Sequence, residues 1–227
     1  MAGGRRGRLL VFEGAEGVGK STQIGLLLDA LSEAGVPHLA LREPGGTALG
    51  DEIRRLLLDP ARDDVAARAE ALLFMASRAQ LVEREIEPAL ARGDVVVLDR
   101  FFLSTYAYQI AGRGLPEAEV RQANRFATGG LVPDLTIFLE LAPAEGMARA
   151  DARGGRDRME RSGEEFHRRV AAAFAGFAAP AWQAAHPECG PIERVDGAGR
   201  ERDVHSRIVD LLARRWPETF RTITRSQ

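Results

Sequence analysis

The 227-residue chain has one cysteine, two tyrosines, two tryptophans and, among 31 basic residues, a single lysine. The lone cysteine, Cys189, excludes an internal disulfide framework and fits a reducing, cytoplasmic setting. Acidic and basic residues nearly cancel, 33 against 31, for a formal charge of −2. That balance gives no bulk electrostatic case for a nucleic-acid or membrane partner. No apolar run approaches the length of a membrane span. The basic N-terminus is followed only by Leu9–Phe12, too short for the apolar segment of a signal peptide. What is present, 45% hydrophobic and 28% charged residues, is the profile of a globular protein with one core. No internal repeat or linker-like stretch interrupts it. Residues 1–227 are therefore expected to form one domain with frayed tails at 1–7 and 221–227.

Short apolar runs alternate with longer amphipathic segments. Leu9–Phe12, Leu39–Leu41, Val95–Leu98, Leu135–Leu141 and Ile192–Val195 read as strands. Between them, 20–34, 48–58, 65–87, 102–111, 117–128, 143–152, 164–185 and 200–215 read as helices, with 153–163 rich in glycine and arginine. Strands apolar on both faces and separated by helices predict an α/β fold, a five-stranded parallel sheet covered on both sides.

The chain turned almost wholly to arginine yet kept Lys20, and a compact ammonium differs from a planar fork in reach and geometry. Lys20 lies in Gly14-Ala15-Glu16-Gly17-Val18-Gly19-Lys20-Ser21, followed by Thr22. This fits G-x-x-x-x-G-K-[ST] directly after a strand and at the start of a helix. Such a loop turns successive backbone N–H groups toward one anion, and the helix N-terminus adds its partial positive charge. Lys20 is expected to reach the β- and γ-phosphates of a nucleotide and Ser21 to hold Mg²⁺. A guanine reader of the Asn-Lys-x-Asp type is excluded, because there is no second lysine.

Asp99-Arg100 ends the third strand. An aspartate there can hold Mg²⁺, and the neighbouring guanidinium can clamp an anion. Ser104, Thr105, Tyr108 and Gln109 follow at one-turn spacings, a polar and aromatic face suited to a sugar or a base edge. Phe74 and Arg78 share a helix face; pattern alone favours Phe74 in the core and Arg78 in solvent. His38, His167, His186 and His205 lack metal-ligand spacing and read as surface or capping residues.

Together with Arg42-Glu43-Pro44-Gly45-Gly46-Thr47, Leu56-Leu57-Leu58-Asp59, Ala76-Ser77-Arg78-Ala79-Gln80-Leu81 and Pro133-Asp134-Leu135-Thr136, these motifs follow one another in the order found in bacterial thymidylate kinases. From about Leu9 to Trp216 the chain resembles that family. The resemblance implies a phosphate-loop kinase fold, ATP as donor with Mg²⁺, dTMP as acceptor, and a homodimer through the helix at 65–87 and its neighbour. It implies that Phe74 stacks on thymine, Arg78 and Thr105 read its edge, and Tyr108 packs on the deoxyribose. It also implies that Arg100 binds the acceptor phosphate, Glu16 faces the 3′-hydroxyl, and the Arg42 loop covers the acceptor, with a cis bond before Pro44 allowed.

Relatives lacking a basic residue inside the phosphate loop supply arginine from a lid. With Ala15 and Glu16 in the loop, this chain is similar to that type. Its candidate lid is 153–163. Arg153, Asp157, Arg158 and Glu160 match the family spacing, and Arg156 is an extra arginine. Arg153 is the first candidate for the catalytic arginine and Arg158 the second. Adenine is expected near Asp196-Gly197-Ala198-Gly199. Two other readings stay open: a kinase of the same fold acting on another nucleoside monophosphate or a deoxynucleoside, and a nucleotide-driven switch.

Overall fold

In the computed structural model, which describes residues 6–62, 64–153 and 157–223, five strands form one parallel sheet. They are β1 (Arg8–Glu13), β2 (His38–Arg42), β3 (Val95–Asp99), β4 (Leu135–Glu140) and β5 (Ile192–Asp196). Their order across the sheet is β2-β3-β1-β4-β5. Alternate side chains feed two cores. Leu9, Val11, Val96, Leu98 and Phe138 face one, while Leu10, Phe12, Val95, Val97, Ile137 and Leu139 face the other. A sheet buried on both faces needs apolar residues at every position, which is why β3 reads Val-Val-Val-Leu.

Helices α1 (Lys20–Glu33), α10 (Glu201–Arg215) and α11 (Pro217–Phe220) cover the second core. The first is covered by α3 (Ala67–Leu81), α4 (Glu87–Arg92), α5 (Phe102–Thr105, continued as a π-helical stretch Tyr106–Gly112) and α8 (Glu164–Phe177). The remaining helices are α2 (Ala48–Leu58), α6 (Glu117–Thr128), α7 (Pro143–Arg153) and α9 (Pro180–Ala185).

Three sequence expectations change. The helix expected over 65–87 starts at Ala67 and runs on to Arg92 through a widened π turn, Val82–Ile86. Pro88 has no N–H to give and its ring crowds the preceding turn; the wider turn just before it absorbs both. The helix expected over 164–185 is two helices, because Ala179, just before Pro180, is extended (φ −66°, ψ 132°). Ile223, within the stretch expected to be a frayed tail, is buried in the second core beside Phe220. At the other end, the Gly7 amide donates to the Leu90 carbonyl at 2.8 Å and Arg6 pairs with Asp134.

The histidine expectation also changes. His186 and His205 are buried. His186 stacks on Trp182 with ring centroids 3.9 Å apart and is hydrogen-bonded to the Trp182 carbonyl and Glu117. Burial lowers the pKa of His205.

β1 lies between β3 and β4, so the connections leaving it and β3 diverge at their carboxyl ends. A crevice at such a switch point is where open α/β sheets bind ligands.

Candidate active site

The loop from Gly14 to Gly19 leaves β1 and enters α1. Gly17 has φ +73°, and a Cβ there would meet the Gly146 carbonyl oxygen on α7 at 1.9 Å, so only glycine fits. The first turn of α1 has no side-chain cap, which leaves its amides facing the crevice. Lys20 folds back over the loop, its Nζ donating to the Gly14 carbonyl at 3.0 Å and the Ala15 carbonyl at 2.9 Å. It is only 7% exposed. Burial, and then repulsion from Arg100, pushes its pKa down to about 8.

Arg100 sits at φ +70°, a left-handed conformation unusual for a side chain this large. Its guanidinium pairs with Glu16 and donates to Ser104 Oγ at 3.0 Å and the Gly14 carbonyl at 3.3 Å. Tyr108 donates its hydroxyl to the same Glu16 oxygen at 3.1 Å. Burial raises the Tyr108 phenol pKa against the opposing pull of Arg100, so it stays protonated. Glu13, fully buried, was given no role by the sequence reading. Its two oxygens take the amides of Phe101 (2.8 Å) and Ser104 (3.0 Å) and the Ser104 hydroxyl (2.8 Å). It thus caps α5 and fixes the start of the helix that carries Thr105 and Tyr108. The signal was a carboxylate closing an otherwise apolar strand.

The expectation of Arg78 in solvent is overturned. Arg78 is 2% exposed, and every one of its N–H groups has an acceptor. Nε and one terminal nitrogen donate to Glu43 Oε2 (2.8 and 2.5 Å), the same terminal nitrogen to the Phe101 carbonyl (2.9 Å), and the other to Thr105 Oγ1 (2.9 Å) and Asn124 Oδ1 (2.5 Å). Helix periodicity missed this because all the partners come from other elements. Phe74, half-buried, lines the crevice beside it. The Glu43–Pro44 bond is cis.

One cleft of about 690 Å³ joins these parts. Gly17–Gln23 with Gly197, Gly199, Arg200, Glu201 and Val204 border one end; Phe74, Arg78, Thr105, Tyr108 and Gln109 border the other; Asp99 and Arg100 lie between. Arg42 is not on its wall. That side chain pairs with Asp51 at 3.8 Å and lines an outer groove with Arg54 and Asp59. Arg54, unremarked in the sequence, does line the cleft, donates to the Pro44 carbonyl at 2.9 Å and has its pKa lowered by burial. So does Arg149 on α7, paired with Glu145 one turn back. Arg153 ends α7, with its side chain outside the described atoms, and Arg156 lies outside the described residues. Arg158 turns away to the Leu57 carbonyl and Glu70.

A family model described as thymidylate kinase matches residues 12–186. A thymidylate kinase of Synechococcus sp. (strain JA-2-3B'a(2-13)) is 48% identical over 208 residues, 92% of this chain and 95% of that protein. One from Cutibacterium acnes is 48% identical over 182 residues, 80% of this chain and 85% of its own. Among solved structures, a thymidylate kinase from Ehrlichia chaffeensis superposes with TM-score 0.71 at 27% identity, covering 91% of this chain and 99% of that one. A glycine-rich loop and a polar, aromatic wall sharing one cleft, and relatives alike over nearly their whole length, lead to one assignment: the chain belongs to the thymidylate kinase family.

Proposed function

We infer that the chain transfers the γ-phosphate of ATP to dTMP, giving dTDP and ADP, and that the transfer is direct and in line. The observation that carries this reading is one cleft in which the phosphate loop and an acceptor slot lined by Phe74, Arg78, Thr105 and Tyr108 meet across Asp99 and Arg100. Such transfer leaves a protein mainly positioning and charge neutralisation to supply. Lys20 exchanges its two loop carbonyls for β- and γ-phosphate oxygens. Arg100, steered by Glu16 and Ser104, takes the acceptor phosphate, and Glu16 with Tyr108 borders the sugar. Thr105 already accepts from Arg78, which leaves its own O–H to donate to a pyrimidine carbonyl. Phe74 supplies the stacking face. Arg149, which lines the cleft, and Arg153, the last residue of α7, are the arginines we assign to the donor side.

Mg²⁺ fits the donor set. Asp99 Oδ1 is buried without a hydrogen-bond partner, and Ser21 opens α1 on the same cleft. Two hard oxygen donors suit an ion that keeps several waters and phosphate oxygens. Bound there, it would neutralise charge on the β- and γ-phosphates.

Purified enzyme given ATP is expected to phosphorylate dTMP far faster than dCMP, AMP or GMP; equal rates would refute the specificity. Phe74→Ala is expected to raise KM for dTMP at least about tenfold, the worth of one base–aromatic stack, with KM for ATP nearly unchanged.

A homodimer through α3 and α6 is supported by Leu72 and Phe126, 62% and 90% exposed, on two helices that pack together. Leu72→Arg with Phe126→Arg is expected to give monomers in sedimentation; an unchanged dimer would move the interface elsewhere. No helix among the described residues is long and apolar enough to cross a membrane. A cytoplasmic place is supported by the substrates, which are cytoplasmic solutes.

A further inference from the structure

Glu70 has no exposed surface, yet it lies in the first turn of α3, one turn before Phe74. Its carboxylate collects donors from two separate parts of the chain. From the π-helical stretch that continues α5 and the residue after it, Gln109 Nε2 donates to Oε1 at 3.1 Å, and Arg113 donates to Oε1 at 3.2 Å and Oε2 at 3.0 Å. From the far side of the lid, Arg158 donates to Oε2 at 2.7 Å. Arg158 also gives Nε to the Leu57 carbonyl at 2.7 Å and its backbone N–H to the Leu58 carbonyl at 3.2 Å, both in the last turn of α2. Its neighbours fix it further. Met159 is buried in the first core, and Asp157 and Glu160 each take the other's backbone N–H.

Asp157, Met159 and Glu160 line the cleft, as does Gln109, whereas Arg158 does not. The same carboxylate therefore holds the root of the lid, a wall of the acceptor slot, and the helix bearing the stacking ring. Two guanidinium groups and an amide converge on one buried carboxylate; removal of Glu70 leaves both guanidinium groups without their shared acceptor, and removal of Arg158 takes one of the two donors from Oε2. A displacement of the lid root must then reach Gln109 through a shared acceptor.

We propose that Glu70 is a positioning residue coupling the lid root to the acceptor slot, and that Arg158 is the pin of this coupling, not a clamp on the transferring phosphoryl group. The proposal rests on the reading of the cleft given above.

Steady-state kinetics of Arg158→Ala, Arg158→Lys, Glu70→Gln and the double variant Glu70→Gln/Arg158→Ala test it. Arg158→Ala is expected to raise KM for dTMP about tenfold while kcat falls less than about fivefold. Arg158→Lys, able to reach Glu70 but not Leu57 at the same time, recovers part of the KM. The double variant is no worse than the worse single one, because both remove the same link. A fall in kcat of about 10³ with KM for dTMP unchanged would make Arg158 a phosphoryl clamp and overturn the proposal; additive effects would overturn it too. Amide hydrogen exchange without nucleotide gives a second readout. Arg158→Ala is expected to speed exchange over 104–112 as well as 157–163, and unchanged exchange over 104–112 sinks the coupling whatever the wild type phosphorylates. Wild type inactive on dTMP would instead refute the reading of the cleft. Should Glu70→Gln not fold, the two Arg158 variants decide by the same readouts.

Discussion

Lys20→Met is expected to lower kcat by about 10³, the scale for losing a charged donor aimed at developing phosphoryl charge, while making the unliganded protein more stable. Both effects follow from one placement. Lys20 is buried over the phosphate loop and donates to two carbonyls there, and burial together with Arg100 outweighs the pull of Glu16, Asp99 and Glu13 and lowers its pKa from 10.5 to about 8. At about 1.4 kcal/mol per unit, holding that charge costs the folded state roughly 3 kcal/mol near neutral pH. Between about pH 8 and 10.5 the unfolded chain keeps a proton that the folded chain has released, so stability rises with pH across that window. Below it, Lys20 is charged in both states and the full cost remains. Methionine keeps the stem and removes the charge, which flattens this part of the pH–stability curve. ATP relieves the same cost by supplying anionic partners, so it is expected to raise the melting temperature of wild type more than that of the variant. In the free enzyme, kcat/KM for ATP falls as pH rises above about 8, when the ammonium is lost. Thermal melts and pH profiles of both proteins check this; a variant with kcat within tenfold of wild type would remove Lys20 from the phosphoryl-transfer step.

Legibility in the sequence followed the distance over which each feature is built. The phosphate loop is contiguous, with strand, glycines, lysine and helix in consecutive residues, so spacing alone located Lys20 and Ser21. The sheet was legible because its central strands, β1, β3 and β4, are apolar on both faces. The break of the helix expected over 164–185 was legible in principle, since Pro180 sits inside it, but the strong periodicity of Phe166, Val170, Phe174 and Phe177 obscured it. The acceptor slot was another matter. Arg78 meets Glu43, Thr105 and Asn124 at separations of 35, 27 and 46 residues, and Arg158 meets Glu70 across 88. Such buried charge networks depend on which helix faces meet, and no local period encodes that. An arginine on an amphipathic helix is by default a solvated one. In a chain whose cations are almost all arginine, nothing local distinguished Arg78, at the centre of the slot, from arginines on the surface.

Arg78→Met therefore carries the largest expected stability loss, about 3–5 kcal/mol in urea unfolding at pH 8, the range for breaking a buried ion pair by removing one partner. Arg78 ties the end of β2 to α3, α5 and α6 through Glu43, the Phe101 carbonyl, Thr105 and Asn124, with the Phe101 ring 4.8 Å from its guanidinium. Burial already pushes the Glu43 pKa up against the opposing pull of Arg78. With the arginine gone, nothing opposes the burial, and the folded state favours the protonated acid more strongly. A raised folded-state pKa contributes stability that is present at low pH and lost as pH rises through it, so Arg78→Met suffers less at pH 5 than at pH 8. Removing both charges, Arg78→Met with Glu43→Met, is expected to cost less at pH 8 than Arg78→Met alone. Lysine is no substitute, because one ammonium cannot satisfy acceptors spread around a planar fork. In function, the loss falls first on the acceptor. Thr105 loses the donor that orients its hydroxyl, so KM for dTMP rises in Arg78→Met while KM for ATP, set at the other end of the cleft, holds. Equal stability of the single and double variants at pH 8, or a KM rise confined to ATP, would show that Arg78 is not the strut of the slot.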